Sequence, residues 1–184
     1  MRLGLILGVA LLAGCNEAQP EAQEVEIPMA PETKAPEPVV STDHQALLAS
    51  DDPQLAANKQ LVYDMYRIVL QAGRADRAHE FIAEDYIQHN PNAEQGLAGL
   101  IAYVNSTRPV RDIKDELDLP LVHLMAEGNY VTTTFVRPEE DANGETYYSS
   151  WFDLYRIEDG LIVEHWDPML KSDPKIDPND KTLD

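Results

Sequence analysis

The sequence is short of cysteine and of positive charge, and it has no aromatic residue outside its centre. One cysteine in 184 residues excludes an intramolecular disulfide framework and any cysteine-rich zinc site. Lys and Arg number 14 against 33 Asp and Glu, for a net charge of −19. No basic patch interrupts that acidity, so phosphate neutralisation cannot drive nucleic-acid binding. No apolar run approaches the roughly 20 residues that span a bilayer. Aromatics are missing from the first 62 and the last 18 positions, and all of them fall between Tyr63 and Trp166. A hydrophobic core is therefore confined to that stretch, and the length allows one ordinary domain with extensions.

The start of the chain reads as an export signal, residues 1–14: Arg2 supplies a short basic region, followed by an apolar run from Leu3 to Ala13. Leu12-Ala13-Gly14-Cys15 resembles the bacterial lipobox, in which small residues precede a cysteine that is lipidated and becomes the mature N-terminus. Cys15 is therefore expected to be a lipid anchor and not a catalytic thiol. The expected location is the cell envelope of a bacterium, lipid-anchored, with the outer membrane facing the periplasm as the leading site. Residues 16–50 hold five prolines, seven acids and one lysine, with neither glycine nor aromatic, so they cannot offset ordering entropy by burial. The expected organisation is a tether over residues 15–50, a domain over 51–170 and a flexible tail over 171–184.

Inside the domain, Ser50-Asp51-Asp52-Pro53 is a helix start, with a polar cap followed by proline. Leu55, Leu61, Val62, Met65, Tyr66, Val69 and Leu70 then recur at helical spacing up to Gly73. A shorter helix is expected over 74–84, a short extended piece over 85–89 stopped by Asn90-Pro91, and a third helix over 97–104. From Leu117 the period becomes two. Strands are expected over 117–127, 130–137, 145–157 and 161–167, separated by Gly128-Asn129, Asp141-Ala142-Asn143-Gly144 and Glu158-Asp159-Gly160. Three helices followed by such a meander predict an α+β fold: helices packed on one face of a curved antiparallel sheet, enclosing a pocket.

Alternation sorts the polar residues of the strands. His165 and Asp167 share one face of the last strand, and Trp166 lies on the other. Trp151, Asp153 and Tyr155 share a face of the strand before it, where burial among aromatics would raise the Asp153 carboxyl, as it would Asp167. His123, flanked by Leu121 and Met125, and the group Tyr86, His89 and Asn90 complete the candidates. Each has a plainer reading: His123 as a hydrogen-bonded core residue, Asn90-Pro91 as a turn, Trp166 as packing. His89, His123 and His165 could in principle hold zinc, but their long spacings carry no ligand motif, and no metal is expected. His44 and His79 look incidental.

Several runs together resemble the SnoaL-like polyketide cyclase group of the nuclear-transport-factor-2-like superfamily. They are Asn58-Lys59, Tyr86-Ile87-Gln88-His89-Asn90-Pro91, Gly96 and Gly99, and residues 152–167 ending Glu164-His165-Trp166-Asp167. The resemblance covers roughly residues 54–170. It implies a cone-shaped α+β barrel with a hydrophobic pocket, often dimeric through the sheet, and no metal or organic cofactor. It implies an aspartate base that enolises a carbonyl compound for aldol ring closure. By position Asp167 is that base, His165 orients it or donates to the enolate oxygen, and His89 supplies a polar group at the pocket mouth. Tyr86, Asn90, His123, Trp151, Asp153 and Trp166 are the candidate substrate contacts. The expected partners are a small apolar or carbonyl-bearing molecule, the membrane through Cys15, and a second copy of the chain. A non-catalytic ligand-binding or envelope-interaction lipoprotein is the alternative.

Overall fold

The computed structural model describes residues 38–169 and residue 171. The signal, Cys15, most of the tether and nearly all of the tail lie outside the described residues. Helix α1 (His44–Leu48) is followed by α2 (Pro53–Asp64), whose start is capped as the sequence predicts: Asp52 Oδ1 accepts from Gln54 N at 2.8 Å and Leu55 N at 3.4 Å. The helix then widens into a π-helical stretch (Met65–Gln71) that buries Met65, Tyr66, Ile68, Val69 and Leu70. Gly73 ends it at φ 64, where an added Cβ would lie 2.5 Å from the Pro109 carbonyl oxygen, so only glycine fits. A 3₁₀ turn (Ala75–Glu80), strand β1 (Ile82–Gln88) and helix α3 (Gly96–Thr107) come next. Strands β2 (Leu121–Glu127), β3 (Tyr130–Glu140), β4 (Thr146–Glu158) and β5 (Leu161–Trp166) complete the order.

The sheet runs β1-β5-β4-β3-β2, curved and unclosed, with β1 parallel to β5 and the other pairs antiparallel. The fold is α+β as expected, with the meander β2 to β5 in place. Two elements differ. The helix expected over 74–84 is only a 3₁₀ turn, because from Ile82 onward the backbone pairs with β5: Ile82 sits opposite Ile162, and Ile162 N donates to Phe81 O at 2.8 Å. The short piece over 85–89 belongs to that full edge strand, which makes the sheet five-stranded. Strand β2 starts at Leu121 and not at residue 117, since Pro120 has no N–H to give a ladder. Leu117 and Leu119 are nevertheless buried.

The tether boundary also moves. Residues 41–49 pack on the domain. Ser41 N donates to Leu121 O at 2.8 Å, Leu48 is buried, and the buried Lys59 donates through Nζ to Leu47 O at 2.7 Å and Ala49 O at 2.5 Å. His44 is not incidental: it is buried, and its Nδ1 lies 2.8 Å from the Tyr63 hydroxyl. The low aromatic content of this segment concealed it, because its partners are supplied by α2. One contiguous core joins α2, the π-helical stretch, α3 and the inner sheet face, with Val62, Val69, Val104, Val131, Phe135 and Ile162 at its centre. Among the described residues no helix is long and apolar enough to cross a membrane.

Candidate functional site

A cavity of about 470 Å³ lies between the π-helical stretch, α3 and the inner face of β1, β4 and β5. Its walls are largely apolar, with Met65, Leu70, Ile82, Leu100 and Met169 among them, and its polar groups gather at the sheet. The small size of Gly99 brings α3 against the preceding loop, since a Cβ there would meet the Glu94 carbonyl oxygen at 2.7 Å.

Register builds the polar patch. Gln88, His165 and Tyr155 are direct neighbours across β1, β5 and β4, so their side chains form one row on the inner face. The His165 ring stacks on Tyr155 at 4.6 Å and 15°. Its Nε2 meets Asp153 Oδ1 at 2.9 Å, and its Nδ1 meets Gln88 Oε1 at 3.0 Å. Both ring nitrogens therefore lie against side-chain oxygens. Asp153, 4 % exposed, also accepts from Trp151 Nε1 at 2.9 Å and, in a short bond, from the Tyr66 hydroxyl. Tyr66 in turn accepts from the Tyr155 hydroxyl at 2.8 Å. Burial, then the neighbouring Asp153 charge, pushes the Tyr66 and Tyr155 phenols well up, so both remain neutral donors.

Asp167 is differently placed. Asn90 Nδ2 donates to its Oδ2 at 2.7 Å, while Oδ1 receives only a 3.4 Å contact from Met169 N. Burial raises its carboxyl above the ordinary aspartate range, and the Asn90 bond and the nearby His165 oppose that shift. Asp153 thus accepts from three donors, whereas Asp167 has one full hydrogen bond and one long contact and keeps more accepting capacity. Ligand atoms of Asp153, His165 and Asp167 lie within 4.8 Å of one another. Yet Asp153 and His165 are committed to the bonds above, so a cation would have to displace them.

Among the residues singled out from sequence, Tyr86, Asn90, Trp151, Asp153, His165 and Asp167 line the cavity. His89, His123 and Trp166 do not. His89 follows Gln88 and so points to the opposite face, where its side chain is 40 % exposed, stacks on Trp166 at 4.7 Å and pairs with Glu164 at 2.7 Å. Hydrogen bonds from His89 and Arg156 hold the Glu164 carboxyl below its usual range. His123 is exposed because a bulge between Leu121 and His123 reverses the strand's parity, leaving Leu121 and Leu124 buried. His165 has no ring nitrogen left for a substrate, which favours an orienting role over a donating one. Gln88, Tyr66 and Tyr155 were missed. Strict alternation along β1 would have grouped Tyr86, Gln88 and Asn90 and excluded His89.

An α+β domain with an apolar cavity ending in a buried carboxylate and imidazole is a small-molecule pocket architecture. Residues 62–165 match the SnoaL-like domain, more than half of the chain, and the protein belongs to that family, which has the nuclear-transport-factor-2-like fold. No curated protein sequence matches the chain. Similar solved structures include TsrD from Streptomyces laurentii, 25% identical with a TM-score of 0.43, covering 64% of this chain and 90% of that one. A Xanthomonas campestris protein of unknown function with a cystatin-like fold is 27% identical with a TM-score of 0.43, covering 60% and 88%. A candidate SnoaL-like polyketide cyclase from Jannaschia is 14% identical with a TM-score of 0.45, covering 65% and 91%.

Proposed function

We propose that this domain binds a small, mainly apolar, carbonyl-bearing molecule and enolises it without a metal or organic cofactor, with Asp167 as the base. The observation that carries the reading is the contrast between the two carboxylates. Asp153 is spent on three donors, while Asp167 faces an apolar cavity with one oxygen nearly free and its proton affinity raised by burial. A base of raised proton affinity is what abstraction of a weakly acidic C–H proton requires near neutral pH. In that step Asp167 takes the proton on the carbon next to the carbonyl, the C–H electron pair becomes a C=C bond, and the carbonyl pair moves onto oxygen. The enolate carbon can then attack a second carbonyl of the same molecule, whose alkoxide recovers the proton from Asp167. His165, held by Asp153 and Gln88, orients the site beside the base.

Exchange of the methyl protons of 2-acetylnaphthalene in D₂O, followed by NMR, tests the base. The full-length chain should accelerate exchange and Asp167→Asn should abolish that acceleration. Exchange that is equal with and without protein, or unaffected by the substitution, refutes the reading.

The setting is proposed with it: Cys15 carries the lipid in a bacterial envelope, and a palmitate analogue should label the wild type and not Cys15→Ser. A second copy is proposed to cover the outer sheet face. There Met125, Phe152 and Tyr130 are exposed beside Thr132 and Thr134, an apolar and hydroxyl-bearing strip bordered by Glu127 and Arg156 across from Tyr130. Phe152→Glu should convert a sedimenting dimer to monomer, and an unchanged sedimentation coefficient counts against that face.

A further inference from the structure

The cavity contains a phenol whose proton no described residue accepts. Gln88 Nε2 donates to the Tyr86 hydroxyl oxygen at 3.0 Å, and among the described residues no group accepts from that hydroxyl. Tyr86 is buried and lines the cavity beside Asp167. Gln88 cannot turn over to accept from it. Gln88 Oε1 already accepts from Asn90 N at 2.9 Å and faces His165 Nδ1 at 3.0 Å, and a reversed amide would set its NH₂ against the Asn90 backbone N–H. The backbone of Gln88 is fixed as well. On this free sheet edge the Gln95 side chain accepts from Gln88 N at 3.0 Å and donates to Gln88 O at 2.6 Å, standing in for a neighbouring strand.

We propose that Tyr86 is a catalytic residue, the donor that binds the developing enolate oxygen, and that Gln88 is the positioning residue that aims its proton into the cavity. The assignment rests on the reading of Asp167 as the base. The chain Asp153, His165, Gln88, Tyr86 places one hydrogen bond behind another, so that each side chain is held by the one before it and Gln88 Nε2 donates to the Tyr86 oxygen. Burial, followed by the charges of Asp153 and Asp167, pushes the Tyr86 phenol up, which keeps it protonated as a donor must be. A fixed donor placed where negative charge develops lowers the barrier without reorganisation at the moment of reaction. His165 could not do this, since both its nitrogens are bound to protein.

The test uses 2-acetylnaphthalene labelled with ¹³C at the carbonyl, bound to the full-length chain. The carbonyl stretch is read by difference infrared spectroscopy beside the D₂O exchange rate. In the wild type the stretch should move to lower wavenumber than in hexane. Tyr86→Phe should return it toward the hexane value and slow exchange by about 100-fold. Gln88→Glu should also return it, because the new carboxylate captures the Tyr86 proton; should that variant fail to fold, Tyr86→Phe decides alone, as it deletes one hydroxyl. Asp167→Asn should abolish exchange and leave the lowered stretch in place.

A stretch unchanged in Tyr86→Phe overturns the assignment, even where Asp167→Asn abolishes exchange and the base reading stands. A lowered stretch that Tyr86→Phe abolishes, in a protein giving no exchange, supports the donor and refutes the base. A ketone that does not bind at millimolar concentration overturns both.

Discussion

Replacing Asp153 by alanine should be among the most damaging single changes in the domain. The carboxylate accepts from Tyr66, Trp151 and His165, and its surroundings are closed to solvent at 4 % exposure. Tyr66 has an alternative acceptor in Thr133 Oγ1 at 3.3 Å, so its hydroxyl can be re-satisfied. The Trp151 and His165 donors have none so near, and each buried orphan costs about 1–3 kcal/mol. Together the two orphans cost about 2–6 kcal/mol, a large share of the roughly 5–15 kcal/mol that holds a domain folded. Asp153→Asn keeps an oxygen for the indole and loses the charge, for about 2–3 kcal/mol. His89→Ala removes the other histidine pair of the same sequence motifs, but an exposed one, worth about 1 kcal/mol. Urea unfolding followed by the fluorescence of Trp151 and Trp166, with m unchanged, gives all three values. A cost for Asp153→Ala below about 1.5 kcal/mol, or a His89→Ala cost equal to it, would refute the assignment of inner and outer faces.

Three further outcomes are expected. The raised carboxyl of Asp167 means that the folded state holds this proton more tightly than the unfolded one. Its ionisation penalty is therefore absent below the ordinary aspartate pKa and grows as pH rises through the folded value. Asp167→Asn should gain stability relative to wild type from about pH 4 upward, and parallel stability profiles across pH 4–8 would contradict it. Gly73→Ala should lose about 2 kcal/mol or more through left-handed strain and collision with Pro109, measurable as a fall in Tm. Lys59→Met should cost about 1.5–3 kcal/mol and open residues 41–49 to limited proteolysis, since it removes charge-assisted bonds to two carbonyls; unchanged resistance there would show that the segment is held by other contacts.

Much of the fold was legible because period-2 alternation is unbroken where it matters most. Trp151, Asp153, Tyr155 and Ile157 are all buried on one face of β4, as their spacing predicts. Legibility failed where a strand is irregular. The bulge in β2 exposes His123, and a second irregularity between Arg156 and Ile157 leaves Ile162 and His165, three residues apart, both buried. A bulge inserts one residue without a compositional mark, so parity before and after it cannot be carried through. Tyr66 was hidden for a different reason: on a helix it reads as one more apolar position, and only the π-helical stretch and the facing Asp153 reveal its hydroxyl as part of the polar patch. Gln88 carries no chemistry alone and gains a role only when β1 pairs with β5.

The segment that joins the domain ahead of α2 also fixes where force would enter it. Ser41 is hydrogen-bonded to Leu121 at one free edge of the sheet, and α1 is gripped by Lys59 from α2. The cavity is built from β1, β5 and β4 with α3, toward the opposite edge. Tension drawn along the preceding chain would thus be delivered to β2 and α2 and would have to shear that grip before it disturbed Asp167, Tyr86 or the α3 wall. A domain gripped in this way would take a pull from one side while the cavity stays undisturbed on the other.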